Sequence, residues 1–383
     1  MGEFSKKRTT KNADGALSET FTNSAEQGVI SQLDYFDHDI TNDANISGYY
    51  VVQPDDFVYN PRISATAPCG PINRNRLDRA GVMSPLYTVF SVDASVDKTY
   101  LEHYFKTSRW HDFMFLEGNS GARSDRFSIS DATFFEMPIW CPEISEQKAI
   151  AKQLETADHL ITLHQRKYDK LCTVKKSMLD KMFPKPGETE PEIRFEGFTD
   201  PWEQRKLGEV ATRHDNLRIP ITAKDRIPGD TPYYGANGIQ DYVEGYTHEG
   251  EFVLVAEDGA TDLDNYPVQL ISGLSWVNNH AHVIKAIPDV AQNRFIMHLI
   301  KSMDIASYLV GGTRSKLNAE VLMGIELKLP SNSEQIYIGA LLSTLDSLIT
   351  LHQREPPHTM KEGKNANRYQ WRIAFLRLLL AMD

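Results

Sequence analysis

The sequence predicts an α+β protein: two β-rich globular modules, each followed by a long helix, with the two helices paired as an antiparallel coiled coil. Three observations carry that prediction. First, SEQKAIAKQLETADHLITLHQR begins at Ser145 and SEQIYIGALLSTLDSLITLHQR begins at Ser333, an ungapped offset of 188 residues. A period this long excludes a solenoid and means two copies of one large module. Second, Ile150, Leu154, Ala157, Ile161, His164, Tyr168, Leu171, Lys175, Met178 and Met182 advance by alternating steps of four and three, the spacing of a coiled-coil seam. Third, the regions ahead of the two helices carry β-branched and aromatic runs punctuated by Gly and Pro, which favour short strands.

The elements follow in chain order. The first module spans 1–142, with strands expected at YYVVQ (49–53) and LYTVFSV (86–92) and a helix at TYLEHYFKT (99–107). MGEF at 1–4 resembles LGEV at 207–210, and the WEQRK that precedes the second has no counterpart ahead of the first. The chain is therefore expected to begin just inside its first module. A central helix follows at 143–183. Ser145 and Glu146 suit its start, and Pro184 and Pro186 end it. About 39 residues give a rod of roughly 58 Å.

Residues 184–204, PKPGETEPEIRFEGFTDPWEQ, are rich in Pro, Gly and Glu, lack periodicity and read as a linker. The second module spans 205–330, with a strand expected at HAHVIKAI (280–287) and a helix at NRFIMHLIKSM (293–303). Its helix, 331–355, repeats the seam as Ile338, Leu342, Leu345, Ile349 and His352. Pro356 and Pro357 should break it, leaving about 22 residues or roughly 33 Å. The tail, 356–383, does not continue the repeat.

Composition narrows the classes. With 383 residues, 41% hydrophobic and 24% charged, the chain suits two soluble domains. It has no apolar run long enough for a membrane span and no signal peptide, so no membrane partner is expected. Cys69, Cys141 and Cys172 form neither a disulfide framework nor a zinc pattern, which reads as the reducing cytoplasm. A net charge of -11 argues against indiscriminate coating of nucleic acid while permitting a local basic face.

No catalytic, cofactor-binding or metal-binding set emerges. SPLY (84–87) and NPRI (60–63) lack the second proline of a methyltransferase catalytic loop, and no phosphate-binding GxxxxGK[ST] exists. His280 and His282 alternate on an expected strand without further ligands at a familiar spacing. His164 and His352 hold equivalent seam positions, where a polar residue can set register.

The Gly-Arg loops are different. GARSDR (121–126) and GGTRSK (311–316) place flexible backbone, hydroxyls and cations at the same point of both modules, ahead of a short helix and a proline-closed strand. That combination suits a phosphate. The candidate DNA-contacting residues are Arg123, Ser124, Thr313, Arg314, Ser315 and Lys316 in these loops, with Tyr59, Asn60, Arg62 and Arg109 in the first module and Asn279 and His280 in the second. Arg123 and Arg314, in loops common to both modules, are expected to hold phosphates rather than read bases.

In this order, WEQRKLGEV, the G-x-R-S loops, the strand-to-SEQ junctions, the LITLHQR helices and KSMLDKMFPK (176–185) resemble the specificity subunit of type I restriction–modification enzymes. The likeness runs from Met1 to about Arg354. It implies two target-recognition domains on double-stranded DNA, each reading half of a split sequence, held apart by the paired helices. It implies a non-catalytic chain that binds no cofactor. Partner methyltransferase subunits would use S-adenosylmethionine to methylate adenine, and a translocating restriction subunit would complete the assembly. A scaffold with a coiled-coil spacer would explain the helices but not the matched Gly-Arg loops. A solitary methyltransferase would need cofactor and catalytic loops that are absent.

Overall fold

The structure is a computed structural model and describes residues 1–36, 43–120, 125–185, 187–311 and 315–353. They gather into two compact units, one from Met1 to Leu163 and one from His164 onward. Among the described residues no helix is long and apolar enough to cross a membrane.

Unit 1 is built on a four-stranded antiparallel sheet of β1 (Ser5–Lys7), β2 (Phe57–Tyr59), β3 (Ile72–Arg74) and β4 (Thr88–Val92), in the order β1-β4-β2-β3. The expected strand at 49–53 is Tyr50–Val52, paired with Gly81–Met83. The Lys98–Phe105 helix, capped by Asp97, lays Leu101 and Phe105 on the sheet. Aromatic rings fill the space between: Phe57 stacks on Phe90 at 5.5 Å and Tyr59 on Phe134 at 4.9 Å. Rings this size bury enough apolar area to hold a module whose strands are mostly three residues long.

Unit 2 repeats the plan with longer strands. Its sheet comprises β5 (Ala211–Arg213), β6 (Phe252–Ala256), β7 (Val268–Ile271) and β8 (Ala281–Ala286), antiparallel throughout, in the order β5-β8-β6-β7. The run FVLVA in β6 is buried at every position, as expected for a central strand covered on both faces. The Asn293–Lys301 helix covers one face with Phe295, Ile296, Leu299 and Ile300.

The correspondence reaches individual atoms. Met1 N donates to Met137 O in unit 1, and Leu207 N donates to Ile325 O in unit 2. A Cβ on Gly2 would lie 3.3 Å from Phe135 O, and one on Gly208 would lie 3.2 Å from Met323 O. MGEF and LGEV are thus one structural element, which the letters alone suggested weakly.

The central helix runs Ile144–Lys181 and the second long helix Asn332–Gln353, close to the expected lengths. Within unit 2 they run antiparallel. His164 meets His352 with Nδ1 atoms 3.2 Å apart, Gln353 Nε2 donates to Tyr168 Oη at 2.7 Å, and Lys175 pairs with Asp346. Leu171, Met178 and Met182 pack in the same core as Ile338, Leu342 and Leu345. The seam is less uniform than its spacing predicts: in unit 1, Ala157 is buried, Ile150 and Leu154 are half-buried, and Ile161 is 39% exposed.

Two expectations are corrected. The segment 184–204, read as a linker, has no helix or strand among its described residues before Glu203, yet it is firmly packed. Arg194 ion-pairs with the buried Glu334, Phe195 and Phe198 lie against Tyr337, and Trp202 is buried between Phe183 and Phe295. The proline-closed strand also differs between modules. In unit 2, Glu326–Leu329 pairs with Glu203–Lys206, whereas residues 138–141 of unit 1 form no strand.

Candidate nucleic-acid interface

In each unit the strand β2 or β6 leads into a strap that meets the end of the Gly-rich loop. In unit 1, Ile63 N donates to Asp125 O at 2.9 Å and Phe127 N to Pro61 O at 2.7 Å, which sets Arg62 directly opposite Arg126. Gly70 permits this strap. It has a φ of 84°, and a Cβ there would stand 2.0 Å from Asn60 O. Two like charges opposite each other on paired backbone repel. Asp125 is 4.0 Å from Arg62 and half in solvent. Among the described residues Arg126 has no ion pair.

The two arginines edge a cleft of about 430 Å³, together with Asn23, Asn60, Tyr35 and Phe36. Tyr35 and Phe36 are 43% and 37% exposed. Their rings meet edge to face at 4.7 Å. Cations suit phosphate oxygens and amides suit base edges.

Unit 2 has the same bridge with different chemistry. Asp258 lies opposite Lys316. Lys316 Nζ donates to Glu257 Oε1 at 2.6 Å, and Arg218 Nη1 donates to Glu257 Oε2 at 2.6 Å. Burial pushes the Glu257 carboxyl up, but hydrogen bonds from Lys316 and Arg218 hold it below its ordinary value. His282, 1% exposed, donates from Nε2 to Leu317 O at 2.8 Å and faces Asp215 through Nδ1 at 2.7 Å. Burial likewise raises Asp215, and the hydrogen bonds from His282 and Val283 more than offset it. Asp215, Glu257 and His282 stand close enough to hold a metal ion. Arg218 and Lys316 already supply the compensating positive charge, which makes the group a sound anchor for the loop.

The sequence candidates separate accordingly. Tyr59 is overturned as a DNA contact: it is 3% exposed, and its hydroxyl donates to Cys69 O at 2.8 Å. Asn60 supports the strap, donating to Asn23 O at 2.8 Å and accepting from Arg62 N at 3.0 Å. Arg62 and Arg109 are exposed. Arg123, Ser124, Thr313 and Arg314 lie outside the described residues. Ser315 is half-buried, and Lys316 is exposed but committed to Glu257. Asn279 is exposed.

His280 and His282 stand in different environments. His280 is exposed and meets Asp258 at 2.5 Å, while His282 is structural. Arg126 lies inside the GARSDR motif and is not among the candidate residues. Nothing in the letters pointed to Tyr35, Phe36 or Arg218.

Residues 199–358 match the type I restriction modification DNA specificity domain. A Haemophilus influenzae protein, described as the putative type I restriction enzyme specificity subunit S.HindORF215P, is 43% identical over 164 residues, which are 43% of this chain and 42% of that one. The EcoprrI specificity subunit of Escherichia coli is 31% identical over 117 residues, 30% of this chain and 28% of that one. The alignments thus span less than half of either relative's length. The crystal structure of the type I restriction–modification S subunit from M. genitalium has the same fold, with a TM-score of 0.53, 14% identity and coverage of 92% of this chain and 89% of that one.

Proposed function

We propose that this chain is a specificity subunit of a type I restriction–modification enzyme and reads a bipartite DNA target. Each module, 1–142 and 205–330, takes one half-site. The observation that carries this reading is one sheet order and one strap-to-loop bridge in both units, tipped by unlike residues. A common scaffold suits a common duplex backbone; unlike tips suit unlike half-sites. Arg62 with Arg126 takes phosphate in one half, and Asn279 with His280 offers polar edges in the other.

In this reading the chain is non-catalytic and binds no cofactor itself. Methyltransferase subunits acting with S-adenosylmethionine carry out adenine methylation, and restriction subunits carry out cleavage, at the sites it selects. The 38-residue central helix spans about 57 Å, a length suited to fixing an unread gap between half-sites. Selection of bound duplexes from a random library, with and without methyltransferase subunits, tests the proposal. Two conserved blocks at fixed spacing support it, and retention without sequence preference opposes it.

A further inference from the structure

His164 meets its own repeat copy. The 188-residue offset that joins the two LITLHQR runs also joins His164 to His352, and these rings face each other across the helices Ile144–Lys181 and Asn332–Gln353. A residue that touches its own counterpart lies on a local twofold axis, as in any isologous contact. A group seated on that axis is held by both rings alike.

The rings present nitrogen to nitrogen. Their centroids are 5.4 Å apart and their planes are inclined at 45°, so they do not stack, while the two Nδ1 atoms stand only 3.2 Å apart. Two imidazole nitrogens bound at about 2.0–2.1 Å to one tetrahedral ion stand about 3.3–3.4 Å from each other. The pair is therefore set close to the bite of a tetrahedral metal. Without an ion, one ring donates its Nδ1–H to the other, and the two hold unlike tautomers. With an ion, both rings carry their proton on Nε2 and both give an Nδ1 lone pair. The change is a tautomer shift in one ring, with no net release of protons.

His164 is exposed and His352 half-buried, so an ion can enter from solvent. Desolvation, then the charges of Lys167 and His164, lower the His352 pKa, which favours the neutral ring that a metal needs. Among the described residues no third His, Cys, Asp or Glu joins the pair. Imidazole alone selects zinc, copper or nickel over magnesium and calcium, which prefer oxygen.

We propose that His164 and His352 form a divalent transition-metal site, best fitted to zinc, that clips the last turn of the second long helix to the central helix. Water fills the remaining positions, and two protein ligands make the site exchangeable rather than permanent. Beside it, Gln353 Nε2 donates to Tyr168 Oη at 2.7 Å and holds the register. The ion binds the paired helices and not the parted ones, so occupancy strengthens the pairing.

Titration calorimetry of Zn²⁺ into the EDTA-stripped full-length chain, with melting curves, tests this. One saturable site is expected, and it should vanish in His164→Ala and in His352→Ala. His352→Asn separates the ion from register-setting: its amide keeps a hydrogen-bonding partner for His164, yet zinc affinity should fall more than about tenfold. With free zinc a hundredfold above its Kd, the folded-to-unfolded ratio of the unaltered chain should rise about a hundredfold. That rise should be absent in His352→Asn and absent with Mg²⁺. Glu257→Gln, which alters the separate Asp215, Glu257 and His282 group, should leave zinc binding intact. No saturable binding, binding undiminished in His352→Asn, or binding lost in Glu257→Gln and kept in His164→Ala would each overturn the proposal.

Discussion

Gln147 and Gln335 make the same two hydrogen bonds in the two units. Each Oε1 accepts the N–H of a helix N-cap, Asp97 at 2.9 Å and Gln292 at 3.1 Å. Each Nε2 donates to the proline carbonyl that closes the strand segment, Pro142 at 2.8 Å and Pro330 at 3.0 Å. Both side chains are buried, at 2% and 1% exposure. The glutamine of the repeated SEQ motif is therefore a clamp joining three elements of each module.

Replacing either glutamine by leucine strands the N-cap N–H and the proline carbonyl, and for Gln335 also the carbonyl of Val290. Each stranded group costs about 1–3 kcal/mol. Gln335→Leu should lower stability by roughly 2–4 kcal/mol and expose the Gln292 amide to exchange. Hydrogen-exchange mass spectrometry checks this. Unchanged protection at that amide would rule out the clamp.

Arg62→Ala and Arg126→Ala should each weaken binding to all duplexes alike and lower the salt-dependence slope by about one. Anisotropy at several salt concentrations reads the slope. A changed preferred sequence with undiminished affinity would assign these arginines to base reading instead.

Glu257→Gln should release Lys316 while Arg218 keeps its bond to Ala281 O at 2.8 Å. Non-specific DNA affinity should rise, with the salt slope steeper by about one. Unchanged affinity would place Lys316 away from the duplex.

His298, 0% exposed on the Asn293–Lys301 helix, has its pKa lowered to about 4 by burial. The neutral ring is favoured in the fold and the charged ring in the unfolded chain. Stability from this group is present above pH 6.5 and declines as pH falls toward 4, by about 3 kcal/mol in all. His298→Met should flatten that part of the stability–pH curve, measured by urea denaturation.

Much of the fold is legible in the letters because the repeat makes the chain its own comparison. The strand at 280–287, the helices at 99–107 and 293–303 and both long helices fall where periodicity places them. Tyr59 was misread because an aromatic next to Asn-Pro-Arg looks like a turn, while three-residue strands carry too little alternation to show their inward face. Segment 184–204 was misread because its anchors, Arg194 and Trp202, act through partners more than ninety residues away: Glu334 and Phe295. The strap opposing Arg62 and Arg126 depends on a long-range bridge that no local pattern encodes.

The central claim is that each unit reads its own half-site. It is tested most directly by selecting duplexes from a random library with the unaltered chain, with Asn279→Ala/His280→Ala, and with Arg109→Ala, each in the presence of methyltransferase subunits. The account predicts two conserved blocks at constant spacing for the unaltered chain. The unit 2 variant should lose preference in one block alone, and Arg109→Ala should disturb the other block or neither. A variant in one unit that alters both blocks together, or a single undivided block from the unaltered chain, would contradict it.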